Sequence, residues 1–173
     1  KGIQVFIIAP LKGHEFYRAA RNVGGEFIQI SPASKNCINI MEIRKVDNSV
    51  NELLDGPTLD ASALAGKIQR LHIFFSLLIP DMSHEEKQLL DEALIKTYAR
   101  KGITHKNESL TDPQHPEQYK KMPILEDVYN VLLESEDTKR LAHILNRLVH
   151  GSASSFNQQT NVDLTNKYTV LDI

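Results

Sequence analysis

The sequence predicts an α/β fold, a parallel sheet that carries an inserted α-helical subdomain. Three observations lead there. An apolar run at 4–9 and an alternating run at 26–31 flank a short helical stretch, and two strands joined by a helix favour a parallel crossover over a hairpin. Helical periodicity then takes over from Leu64. Strand-like patterning returns only near the end, between Phe156 and Leu171.

Each element has a local reason. Residues 4–9 are rich in Val, Ile and Phe, the pattern of a strand covered on both faces. The stretch 13–22 reads as a helix ended by Gly24 and Gly25. Phe27, Ile28 and Ile30 mark the second strand, and a loop at 31–37 regains apolar character at Ile38, Ile40, Met41 and Ile43. A polar linker with Gly56 and Pro57 follows. Leu64, Ile68, Leu71, Phe75 and Leu78 recur at alternating steps of four and three, which is one apolar stripe on a helix that Pro80 ends. Ser83 and Glu86 form a capping box for a second helix carrying Leu90, Leu94 and Tyr98, with Gly102 beyond its end. The polar stretch 103–121, with Pro113 and Pro116, reads as a mobile loop. Pro123 is expected at the first position of a third helix, whose apolar face is Leu125, Val128 and Leu132. A fourth uses Leu141, Leu145 and Val149 and closes at Gly151. Two strands, 156–164 and 168–171, are expected to meet at a turn over 165–167.

Composition narrows the function classes. The net charge of −2 argues against direct binding of nucleic acid or an anionic membrane. The single cysteine, Cys37, excludes an internal disulfide and suits a reducing compartment. The longest apolar run, around 71–80, is too short to span a bilayer. The chain begins on Lys1 and ends on a strand-like run, which is expected of a piece excised from a longer protein.

The sequence holds no G-x-x-x-x-G-K-[ST] loop and no apolar strand ending in Asp-Glu, so both parts of ATP chemistry are missing from it. The seven histidines show no metal-ligand spacing, and no metal site is expected. Ser152, Ser154 and Ser155 lack a nucleophile elbow. His72 reads as a hydrogen-bonded packing residue, and His150 as a cation favoured by a helix C-terminus. Glu15 stands apart, just past a strand end in the first helical turn. Two roles are open to it: stabilising the helix dipole, or facing a cleft at the carboxyl end of the sheet.

The run "VFIIAP…GHEFYRAARNVGGEFIQISPASKNCINIMEI" resembles the region just after the phosphate loop in the conjugative-transfer ATPases of type IV secretion systems, bacterial motors of the FtsK/HerA-like branch of the RecA fold. Pro10, Glu15 with Phe16, Gly24, Gly25, Pro32 and Asn39 fall on family positions. The helix pair at 61–102 resembles the family's helical insertion. "MPILEDVYNVL" and "LVHGSASSFNQQTNVDLTNKYTVLDI" resemble later segments, with Thr160 and Asn161 as signature positions. The family's strand-end Asp is Ala9 here, so that position offers no carboxylate. The resemblance implies a partial RecA-like parallel sheet and a parent protein that uses ATP and magnesium. It implies a cytoplasmic ring oligomer at the inner face of the cytoplasmic membrane, working with other secretion-channel proteins. Glu15 is the catalytic candidate it leaves, and no cofactor is expected in this fragment, which alone should not hydrolyse ATP.

The organisation expected is a βαβ part at 1–45, a linker at 46–60, the helical subdomain with its loop at 61–121, and helices and strands returning to the sheet at 122–173. The function expected is part of the motor domain of a conjugative DNA-transfer ATPase that powers substrate transfer or channel assembly. The alternative is a non-catalytic interaction module with a helical docking surface.

Overall fold

The computed structural model describes residues 3–10, 13–31, 34–44, 62–151 and 156–172. The linker at 46–60, Pro32 and the serines Ser152, Ser154 and Ser155 lie outside the described residues. The chain divides into two compact units, Lys1–Asn39 with Arg147–Ile173, and Ile40–Asn146.

The first unit holds the sheet. Its strands are β1 (Val5–Ala9), β2 (Glu26–Gln29) and β3 (Tyr168–Asp172), with helix α1 (Gly13–Asn22) between β1 and β2. All pairings are parallel and the order is β1-β3-β2. The last strand therefore lies between the first two. The crossover expected from the sequence is present, and α1 packs over β2 and β3. Ala9, Ala20 and Val170 form the core on the α1 side, joined by Ile7, Phe16 and Phe27. On the other side Ile28, Ile30 and Leu171 are covered by Ile38, Phe156, Val162 and Leu164.

Two expectations change here. Residues 156–164 form no strand. They cross the sheet as irregular chain, and Phe156, Val162 and Leu164 serve as a cover for it. The apolar spacing was real, but the side chains pack onto a sheet face instead of joining its ladder. Nor is β1 covered on both faces. It pairs with β3 alone, and Phe6 and Ile8 are 48% and 58% exposed, because the 156–164 cover packs on β2 and β3. The central strand β3 takes the doubly covered role, with Thr169, Val170 and Leu171 all buried.

The second unit is helical. Helix α2 (Ala63–Leu78) buries Leu64, Ile68, Leu71 and Phe75, the predicted stripe, and Ser62 caps its start. Helix α3 (His84–Ala99) opens with the Ser83–Glu86 capping box. Its Tyr98 is fully buried and donates to the Met41 carbonyl at 2.5 Å, while burial pushes the Tyr98 pKa up and keeps the hydroxyl a donor. His72 meets Asp91 across α2 and α3 at 2.9 Å, the packing role read for it. The stretch read as a loop contains a 3-10 helix at Asn107–Leu110 and a bridge from Thr111 to Tyr119, and it buries Ile103 and Leu110. Helix α4 (Leu125–Leu132) starts two residues after Pro123, with Asp127 accepting from the Ile124 N–H, so Pro123 precedes the helix instead of opening it. Helix α5 (Lys139–Val149) follows, its last three residues belonging to the first unit.

Candidate functional site

The carboxyl end of the sheet lies in the first unit. Ala9 ends β1 and is buried, and Pro10 makes the turn after it, exposed. Helix α1 begins at Gly13, and Glu15 stands exposed in its first turn. Among the described residues no hydrogen bond or ion pair holds the Glu15 carboxylate. Its negative charge at the positive end of a ten-residue helix is favourable by a few tenths of a kcal/mol, about 0.3–1 at most for an exposed site. Glu15 thus has the freedom that a solvent-facing chemical role needs, and the placement also satisfies the dipole role.

Three residues to which the sequence assigns no site role, Asp172, Gln29 and Gly13, complete this end of the sheet. Asp172 ends β3 and is level with Ala9 on one side and Gln29 on the other. Gln29 Nε2 donates to Asp172 Oδ2 at 3.3 Å. Gly13 is buried directly against that carboxyl group: a Cβ on Gly13 would lie 2.3 Å from Asp172 Cγ. The available signal was an Asp closing an otherwise apolar strand. The sequence predicts the first and last strands in one sheet, and they are neighbours in it; that Asp172 meets Gly13 follows from the strand order and the seat of α1, which only folding sets.

The double glycine does two different jobs. Gly24 has φ 67°, a left-handed conformation that ends α1 and that a side chain rarely adopts. Gly25 is needed for close approach, since a Cβ there would meet the Tyr168 carbonyl oxygen at 2.5 Å.

Asn39, Thr160 and Asn161 come together away from any strand. Asn161 Oδ1 accepts from the Cys37 N–H at 2.7 Å, and its Nδ2 donates to the Lys35 carbonyl at 2.7 Å. Its own N–H donates to the Cys37 carbonyl at 3.2 Å. Thr160 Oγ1 accepts from the Asn39 N–H at 3.0 Å, and Asn39 Nδ2 donates to Gln159 Oε1 at 3.5 Å. These side chains stand in for a missing strand ladder and clamp 35–39 against the 156–164 cover. Their chemistry is main-chain satisfaction. Pro32 lies outside the described residues. Among the described residues no group of three or more His, Cys, Asp or Glu is placed to hold a metal ion, and no helix is long and apolar enough to cross a membrane.

An all-parallel sheet with a crossover helix, an acidic residue at its carboxyl end and a helical segment inserted in the chain between β2 and β3 places the molecule in the RecA-like α/β class, with part of the sheet present. The chain is similar to the solved structure of VirB4 of Thermoanaerobacter pseudethanolicus, with a TM-score of 0.75 and 27% identity over 98% of this chain. It spans 59% of the length of that VirB4 chain. No family model matches the sequence, and no curated protein matches it.

Proposed function

We propose that this chain is part of the motor domain of a bacterial type IV secretion ATPase of the conjugative DNA-transfer kind, such as a conjugative transposon encodes, and that the full-length parent powers substrate transfer or channel assembly. The observation that carries the reading is the likeness to VirB4 across 98% of the chain, in the order of the resembling sequence segments. In the parent, ATP and magnesium act at the carboxyl end of the sheet. This chain supplies an anionic group to that site: the exposed Glu15 carboxylate suits water or a hydrated cation. The phosphate-gripping loop belongs to another part of the parent. When bound, Mg-ATP would supply the electrophilic phosphorus and its charge neutralisation. Glu15 orients the attacking or cation-bound water by accepting its hydrogen bond as a charged carboxylate. The parent assembles as a ring with other secretion-channel proteins at the inner face of the cytoplasmic membrane. The open edge of β1, with Phe6 and Ile8 uncovered, supports a sheet that continues beyond these strands.

The test is the ATPase rate and melting temperature of the full-length protein with and without Glu15→Gln. Turnover should fall by one or more orders of magnitude, since a positioned base or water contact contributes about 10²–10⁴-fold. The melting temperature should hold, because only a small dipole contribution is lost. Unchanged turnover with a lower melting temperature would leave Glu15 as a helix-start residue only.

A further inference from the structure

We propose that Asp172 is the positioning residue for Glu15: its carboxylate seats the first turn of α1 on the central strand and so sets where the Glu15 side chain begins. The inference rests on the function proposed above.

The geometry is a three-way junction. Ala9, Asp172 and Gln29 are register partners across the three strands, so their side chains share the face that α1 covers. Ala9 is buried on that face with Ala20 and Val170. From the other side Gln29 Nε2 donates to Asp172 Oδ2 at 3.3 Å, and the Ile30 N–H donates to the Asp172 carbonyl at 2.8 Å. Gly13 completes the junction. Its missing Cβ is the space the carboxyl group fills, with both carboxylate oxygens 2.5 Å from where that Cβ would be. Only glycine allows this approach. A carboxylate at a helix N-terminus is also favoured electrostatically. Glu15 is two residues further along the same rigid turn, so a shift at Gly13 is passed to it directly. Reacting groups tolerate little displacement: about 1 Å of misplacement can cost about 10²-fold in rate.

The experiment uses the full-length protein and steady-state ATPase kinetics. Asp172→Ala should lower kcat about tenfold or more with KM for ATP changed by less than about twofold, because the loss is one of positioning and not of nucleotide grip. Asp172→Asn, which keeps the shape and the Gln29 contact, should restore most of the rate. Gly13→Ala should resemble Asp172→Ala, since its methyl needs the carboxylate's place. In a Glu15→Gln background Asp172→Ala should lower kcat no further, the non-additivity of two residues acting through one group. A further, independent fall in that background, or normal kcat in both Asp172→Ala and Gly13→Ala, would overturn the inference. Should Glu15→Gln itself keep normal turnover, the functional reading fails first, through a different variant, and this inference falls with it. Amide exchange at 14–16 guards against a folding artefact: it should quicken in Asp172→Ala while β1 and β2 stay protected, and general loss of protection would send the test to the Asn and Gly13 variants.

Discussion

Asn161 makes its two side-chain hydrogen bonds to main chain well over a hundred residues earlier, at Cys37 and Lys35. Nothing in its neighbourhood predicts that. The sequence marks Thr160 and Asn161 only as signature positions, and the pairing partner is visible only after folding. Asn161→Ala should destabilise the protein by about 1–3 kcal/mol, from two hydrogen bonds at roughly 0.5–1.5 each. Urea unfolding measures this, and an unchanged midpoint would show that water replaces the clamp. Lys67 offers a second test. It is partly buried near Arg70, Arg44 and Glu42, and its pKa is lowered to about 8, first by burial and then by Arg70. A lysine with a lowered folded pKa binds its proton less well when folded, so its charge costs stability below pH 8. That cost is relieved as pH rises from about 8 towards the ordinary value of 10.5. Lys67→Met should therefore stabilise the protein at pH 7, by up to about 3 kcal/mol before solvent screening and less after it. The gain should shrink in melts above pH 8.

Helix α3 shows how far local chemistry alone can define an element. The Ser83 Oγ accepts from the Glu86 N–H at 3.1 Å, and Glu86 Oε2 accepts from the Ser83 N–H at 2.9 Å. Arg140, on α5, reaches Glu86 at 2.7 Å and Asp81 at 2.6 Å. The Glu86 carboxyl is held below its usual range, first by the Ser83 N–H and then by Arg140. Its contribution is complete above the ordinary glutamate pKa and is lost as pH falls through the lowered value. Ser83→Ala should cost about 1 kcal/mol, the usual worth of an N-cap, in thermal melts near neutral pH. A loss near zero would mean that the Glu86 carboxylate, held by the residue-83 N–H and Arg140, suffices at the helix start. Helix α4 is the contrary case: Pro123 could open a helix by propensity, yet Asp127 caps it at Ile124.

At the scale of the whole molecule, the sheet among the described residues has one finished strand between two edge strands, and β1 is the more exposed edge. β3 is paired on both sides and buried on both faces, whereas β1 presents Val5, Phe6 and Ile8 to solvent. Uncovered apolar edges promote self-association. Ile8→Lys should leave stability within about 0.5 kcal/mol, as for an exposed site, and lower the self-association of the 173-residue chain in light scattering. If it unfolds the chain instead, Ile8 is packed in solution and the edge is closed.

The sequence by itself determined the α/β class, the crossover from β1 to β2, the stripe on α2 and the capping of α3. These rest on periodicity and on groups within about four residues of each other, which are local physics. It also marked Glu15, Gly24, Gly25, Asn39, Thr160 and Asn161 as positions worth explaining. Tertiary structure alone decided that β3 enters between β1 and β2, that 156–164 covers the sheet instead of extending it, and that Asp172 meets Gly13. Strand order and close approach between distant segments are set by which faces can be buried together. An apolar run such as "VFIIA" has the same pattern whether it lies at the centre of a sheet or at its edge.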